Sequence, residues 1–114
     1  MNWKEIKTEE DLNTAVLESN AHPILIFKFS TRCSISDRVL SIFQHEWDSN
    51  KDENEKVTPY LLDLIQYRSL SNEIARRFNV RHESPQVLVI KEGECIYNES
   101  HGMVRFDDVI KSVA

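Results

Sequence analysis

Short runs of consecutive apolar residues alternate along this chain with segments whose apolar positions recur every three or four residues, which predicts strands and helices in turn. Trp3 to Lys7 reads as a short first strand, and Thr8 as an N-cap with Glu9, Glu10 and Asp11 set against the positive end of a helix. Leu12, Ala15 and Val16 give that helix one apolar face, and it should end near Asn20. Pro23 opens a strand, Ile24 to Phe29, whose continuous apolar run suits a central position covered on both faces. The segment Ser30-Thr31-Arg32-Cys33-Ser34-Ile35-Ser36 follows directly, and then Ile35, Val39, Ile42, Phe43 and Trp47 at helical spacing. Asp48 to Lys56 is entirely polar and reads as a solvated loop.

Val57 to Ile65 is expected to form a third strand, with Pro59 near its start or on an edge. Leu70, Ile74 and Phe78 mark a third helix. Gln86 to Ile90 is a strongly apolar fourth strand, Lys91-Glu92-Gly93-Glu94 a hairpin turn, and Cys95 to Glu99 the returning strand. Phe106, Val109, Ile110 and Val113 supply the apolar face of a last helix. The order is β-α-β-α-β-α-β-β-α. Crossover helices make the first strands parallel and the hairpin makes the last pair antiparallel, so the class is α/β with a mixed central sheet flanked by helices.

A length of 114 residues fits a single domain over 1–114. The net charge of −5 argues against a nucleic-acid surface, and two glycines leave no glycine-rich phosphate loop. The N-terminus, Met1-Asn2-Trp3-Lys4-Glu5, has no signal-peptide core, and Ile24 to Phe27 is too short an apolar run to span a bilayer. A cytoplasmic location without membrane or nucleic-acid partners is the resulting expectation. In that reducing compartment the two cysteines, Cys33 and Cys95, are expected to be free or reactive rather than joined.

Two features beyond element order resemble the thioredoxin-like superfamily across essentially the whole chain. One is Cys33 at the end of the second strand, opening a helix; the other is Ser84-Pro85 just before the fourth strand, where that fold keeps a cis-proline facing the reactive cysteine. Thr31-Arg32-Cys33-Ser34-Ile35-Ser36, Ser69-Leu70-Ser71-Asn72-Glu73-Ile74-Ala75 and His82-Glu83-Ser84-Pro85-Gln86 resemble more narrowly the monothiol bacilliredoxins. That resemblance implies an oxidoreductase acting on S-bacillithiolated proteins, with bacillithiol as low-molecular-weight thiol co-substrate and no tightly bound cofactor.

The residues support such chemistry on their own terms. Thiolate is the nucleophile, and a helix N-terminus stabilises it through unpaired N–H groups and the macrodipole. Cys33 is expected to receive N–H groups from Ile35 and Ser36, and the Ser36 hydroxyl, with Arg32 adding charge and Thr31 and Ser34 completing a polar surround. Its alternative is a small buried hydrophobe. Ser36 stands where dithiol thioredoxins carry their second cysteine, so an external thiol must release whatever Cys33 captures. Cys95 is expected at the far end of the fourth strand, roughly 17 Å away, and reads as an inert strand residue. The returning strand brings His101 and Gly102 back toward Pro85, where they line the groove, a surface loop being the alternative for His101. His22, His45 and His82 read as incidental, and no spacing suggests a zinc site. With Pro85 cis, the Ser84 backbone would pair with an extended substrate segment. Two other readings stand beside this one: a monothiol glutaredoxin-like iron–sulfur carrier, whose Gly-Phe and Gly-Gly elements are missing, and a thioredoxin-fold adaptor without turnover.

Overall fold

The computed structural model describes residues 1–32 and 34–114; Cys33 lies outside the described residues. Five strands form one sheet in the order β1-β3-β2-β4-β5, with β1 at Lys4–Glu5, β2 at Ile24–Phe29, β3 at Thr58–Asp63, β4 at Gln86–Lys91 and β5 at Glu94–Ser100. β3 runs parallel to both β1 and β2, whereas β4 is antiparallel to β2 and to β5. The helices are α1 (Glu9–Glu18), α2 (Ser34–Asp48), α3 (Lys51–Asn54), α4 (Arg68–Phe78) and α5 (Phe106–Ser112), with a 3-10 turn at His101–Met103. This is the expected mixed α/β sheet. It departs from the expected order in the polar stretch after Trp47, where Lys51–Asn54 closes one helical turn instead of a plain loop.

Local chemistry accounts for the boundaries. The Thr8 side chain accepts from the Asp11 N–H, and Asp11 answers by accepting from the Thr8 N–H, a reciprocal capping box. Glu92 and Gly93 both have positive φ (53° and 77°), the geometry of a two-residue hairpin whose twist matches its strands. The tip is docked, since the Glu92 and Gly93 N–H groups donate to Ser19 O and Oγ at the end of α1. Thr58 N–H donates to Pro23 O, so alternation turns the Pro59 nitrogen away from β2. On that other side β1 pairs only from Tyr60 onward, and no ladder bond is lost.

Alternation along β2 feeds two cores. Leu25 and Phe27, with Val87 and Val89 of β4, pack against Val39, Phe43 and Trp47 of α2 and Phe106, Val109 and Ile110 of α5. Ile24 and Ile26, with Leu88 and Ile90, pack against Leu12 and Ala15 of α1 and Ile74 of α4. Phe43 is the hub of the first core, its ring centroid lying 5.4 Å from Phe27, 6.0 Å from Phe106 and 6.3 Å from both Trp3 and Trp47. Ile35 and Ile42 were expected to join this face, but they stand 58% and 50% exposed. Ile42 instead lines a groove with Gly102 of the His101–Met103 turn, on a flank of α2 that does not face the sheet. Among the described residues no helix is long and apolar enough to cross a membrane.

Removing the hub should be costly. Phe43→Ala is expected to lower unfolding free energy by about 3–5 kcal/mol, measured by urea titration, whereas Ile42→Ala should cost well under about 1 kcal/mol.

Candidate functional site

β2 runs out at Phe29 and delivers the chain into the turn that contains Thr31 and Arg32, both exposed. α2 then begins at Ser34, with Ser34 and Ile35 exposed. Ser30 and Ser36 are buried and joined to each other. The Ser30 N–H donates to Ser36 Oγ at 2.9 Å, and Ser30 Oγ accepts from the Arg32 N–H at 3.3 Å. The Ser36 hydroxyl oxygen therefore serves as a clasp between the end of β2 and the first turn of α2. The expected hydrogen bonds to Cys33 fall outside the described residues.

On the neighbouring strand, the Ser84-Pro85 peptide bond is cis, and Pro85 is buried directly before β4. Its carbonyl accepts from the His101 N–H at 2.8 Å. This pairing depends on a bulge. At the hairpin Lys91 faces Glu94 and Ile90 faces Cys95, but Val89 faces Tyr97, so β5 carries one extra residue, Ile96. From there Gln86 faces Ser100, and His101 arrives opposite Pro85. The His101 side chain is exposed, and its Nε2 lies 2.7 Å from Glu83 Oε2. Gly102 is exposed in the same turn and, with Val39, Ile42, Val104 and Arg105, lines a groove of about 250 Å³ between α2 and the start of α5. A larger cleft, about 580 Å³, opens at the other end of the sheet beside His22, Thr58 and Pro59.

Behind Pro85, on the α4 side of the sheet, lies a polar cluster that sequence reasoning did not foresee. Lys28 is fully buried at the end of β2, opposite Gln86, and donates from Nζ to Ser71 O of α4 at 3.2 Å. Gln86 is buried too and donates from Nε2 to Arg81 O at 2.9 Å, while Ser71 Oγ meets His82 Nδ1 at 3.2 Å. Burial pushes the Lys28 ammonium down to about 8. Burial first, and then the positive charges of Lys28 and Arg68, lower the His82 pKa. His82 is thus a member of this cluster rather than incidental. Two buried atoms, Ser84 Oγ and Gln86 Oε1, have no hydrogen-bond partner among the described residues. The sequence signal for the cluster was the lone lysine inside Ile24-Leu25-Ile26-Phe27-Lys28-Phe29.

Cys95 faces Ile90, at the end of β4 remote from Pro85. It is a half-buried free thiol whose pKa burial raises, against the smaller effect of hydrogen bonds from its surroundings. That is the environment of an unreactive cysteine. Among the described residues no group of three or more His, Cys, Asp or Glu side chains is placed to hold a metal ion.

Comparison with known proteins agrees with this architecture. A family model described as monothiol bacilliredoxin BrxC matches residues 4–109. A solved thioredoxin-fold protein assigned as an oxidoreductase is 25% identical, with a TM-score of 0.81 over 96% of this chain and 92% of its own. Malassezia sympodialis thioredoxin (13% identity, TM-score 0.75, covering 98% of this chain and 88% of its own) shares the fold. So does oxidised Plasmodium falciparum thioredoxin, at 15% identity and TM-score 0.74 over 99% of both chains. The thioredoxin-like fold expected from sequence is the observed one, and with the family match it supports thiol redox function.

The buried lysine gives stability a pH signature. Its folded pKa, about 8, lies below the ordinary lysine value of 10.5, so between these values the unfolded chain binds more protons and stability rises with pH. Relative to Lys28→Met, the wild type should gain on the order of 2 kcal/mol between pH 7 and pH 9.5, read from urea titrations of both proteins at each pH.

Proposed function

The chain belongs to the monothiol bacilliredoxin family, and on that footing we propose that it is a cytoplasmic one-cysteine exchange enzyme that removes bacillithiol from protein mixed disulfides. Cys33 is the proposed nucleophile. Its thiolate attacks the bacillithiol sulfur of the mixed disulfide, a new S–S bond forms between Cys33 and bacillithiol, and the client cysteine leaves as thiolate. A second bacillithiol, or another thiol, then attacks the adduct, forming a disulfide with the captured bacillithiol and returning Cys33 to the thiolate.

The observation that carries this reading is the state of Ser36. At the position of a resolving cysteine stands a buried hydroxyl already engaged by the Ser30 N–H. Attack by Cys33 does not need a second thiol, but intramolecular release does. Cys95 supports the same conclusion, because it faces Ile90 at the end of β4 remote from Pro85, a strand length of roughly 17 Å, whereas a disulfide tolerates a Cα separation of roughly 7 Å. A low-molecular-weight thiol is the natural partner for such a centre.

The remaining roles follow from placement. The first turn of α2, including the N–H groups of Ile35 and Ser36, favours an anion at its N-terminal side, with Arg32 adding positive charge and Thr31 and Ser34 keeping the surround polar. Ser84 lies outside the β4 ladder, which starts at Gln86, so its main chain is available to an extended client segment running past Pro85. His101 and Gly102 form the opposite wall. Bacillithiol enters as co-substrate; no tightly bound cofactor is part of the proposal.

Incubation with oxidised bacillithiol is expected to add one bacillithiol moiety to the intact protein, in wild type and in Cys95→Ala alike. The adduct should be absent from Cys33→Ala. A protein that takes up no bacillithiol, or takes it up equally after Cys33→Ala, contradicts the proposal.

A further inference from the structure

Glu83 and His101 are joined from different elements beside the cis-proline, one in the segment leading to Pro85 and the other in the turn that follows β5. His101 is tied twice. Its N–H donates to Pro85 O at 2.8 Å, and its Nε2 lies 2.7 Å from Glu83 Oε2. The residue has φ of 58°, a backbone conformation that few non-glycine residues adopt, so the turn is built to present a side chain here at some conformational cost. The imidazole is 61% exposed and belongs to neither core. The same 3-10 turn packs against α2, so it bridges the cis-proline segment and the helix that follows Cys33 in sequence. A carboxylate on one imidazole nitrogen orients the ring and leaves the other nitrogen to serve a substrate. A carboxylate–imidazole pair of this kind is how an active site keeps a proton ready for transfer.

Thiol–disulfide exchange has a use for such a proton. The departing sulfur takes the electron pair of the broken S–S bond, and an aliphatic thiolate leaves less readily than an aromatic one because its conjugate thiol is the weaker acid. Resting on the reading of Cys33 as attacking thiol, we infer that His101 is a catalytic proton donor to the departing sulfur and that Glu83 is its positioning residue. As the S–S bond breaks, the His101 imidazolium gives its proton to the leaving thiolate, yielding a neutral thiol and a neutral imidazole. The ring is reprotonated by the incoming thiol of the next half-reaction, which becomes the attacking thiolate. Protons and electrons balance with that thiol as the only co-reactant.

The test is leaving-group dependence. Single-turnover modification of Cys33 would be followed by mass and absorbance in a Cys95→Ser background. Two reagents are compared: hydroxyethyl disulfide, which releases an aliphatic thiol, and an aryl disulfide that releases thionitrobenzoate, whose thiolate leaves without a proton. In His101→Asn, chosen because asparagine tolerates positive φ and cannot act as the acid, the aliphatic-to-aryl rate ratio should fall by roughly tenfold to a hundredfold. Glu83→Gln should lower the same ratio, and Glu83→Asp should restore most of it. A purely structural role would slow both reagents together and leave the ratio where it was, which overturns the inference. A ratio altered by His101→Asn but not by Glu83→Gln overturns the role of Glu83. If wild-type Cys33 reacts with neither reagent, the exchange reading itself fails, and that outcome is separate from the others.

Discussion

Because β2 is covered on both faces, its register decides which residues enter which core. Leu25 and Phe27 belong with α2 and α5, Ile24 and Ile26 with α1 and α4. A slip of one residue against β3 or β4 would exchange the two sets and drive Lys28 into the aromatic core around Phe43. Few alternatives are therefore open to this strand, and everything built at its end inherits that definition. The turn after Phe29, the Ser30–Ser36 clasp and the start of α2 are placed by a strand that cannot shift without dismantling both cores.

The polar cluster lies where the second core stops. Along that face of β2 and β4 the apolar rows Ile24/Ile90 and Ile26/Leu88 give way to Lys28/Gln86, and the next step along β4 reaches Pro85. A buried lysine with one backbone acceptor is a poor way to gain stability, since desolvation opposes its charge. What the arrangement supplies is definition. Ser71 O holds the lysine, Arg81 O holds Gln86, and Ser71 Oγ holds His82, so α4 and the segment before the cis-proline are joined to the sheet by directional bonds. An apolar layer in the same place would pack, but it would not fix how the 81–85 segment enters β4.

Much of this was legible in the chain. β2 was bounded correctly because Pro23 and Ser30 flank an unbroken apolar run, and the hairpin because Glu92-Gly93 has the composition its positive-φ turn requires. The capping box of α1 was signalled by Thr8 and the acidic residues after it. What escaped was set by distance in space. Ile35 and Ile42 share helical spacing with the buried residues of α2, and periodicity alone does not separate a face against the sheet from a flank beside another turn. Lys28 was absorbed into an apolar run, since its acceptor is a main-chain carbonyl of α4 that no motif announces. Ser36 was read as a hydrogen-bonding partner of Cys33, and its buried place as acceptor for the Ser30 N–H follows from the strand end that it clasps. The Glu83–His101 pair required the register of β4 against β5 at the level of single residues.

That register turns on Ile96. Counting outward from the Lys91–Glu94 pair without a bulge would set Gln86 against Glu99 and Pro85 against Ser100. The extra residue moves each partner by one, so that Gln86 meets Ser100 and the Pro85 carbonyl receives the His101 N–H. The same insertion reverses the alternation of β5 beyond Cys95: Cys95 packs on the α1/α4 core, and Tyr97 is turned to the α2/α5 core, whereas an unbroken strand would keep both on one face. One inserted residue thus resets everything from Tyr97 to the end of the strand. Cys95, on the hairpin side of the bulge, keeps its place opposite Ile90, whereas beyond the bulge an imidazole with a carboxylate partner is brought to the cis-proline. The two potentially reactive groups lie on either side of a local irregularity, a half-buried thiol before it and an exposed imidazole beside the cis-proline after it.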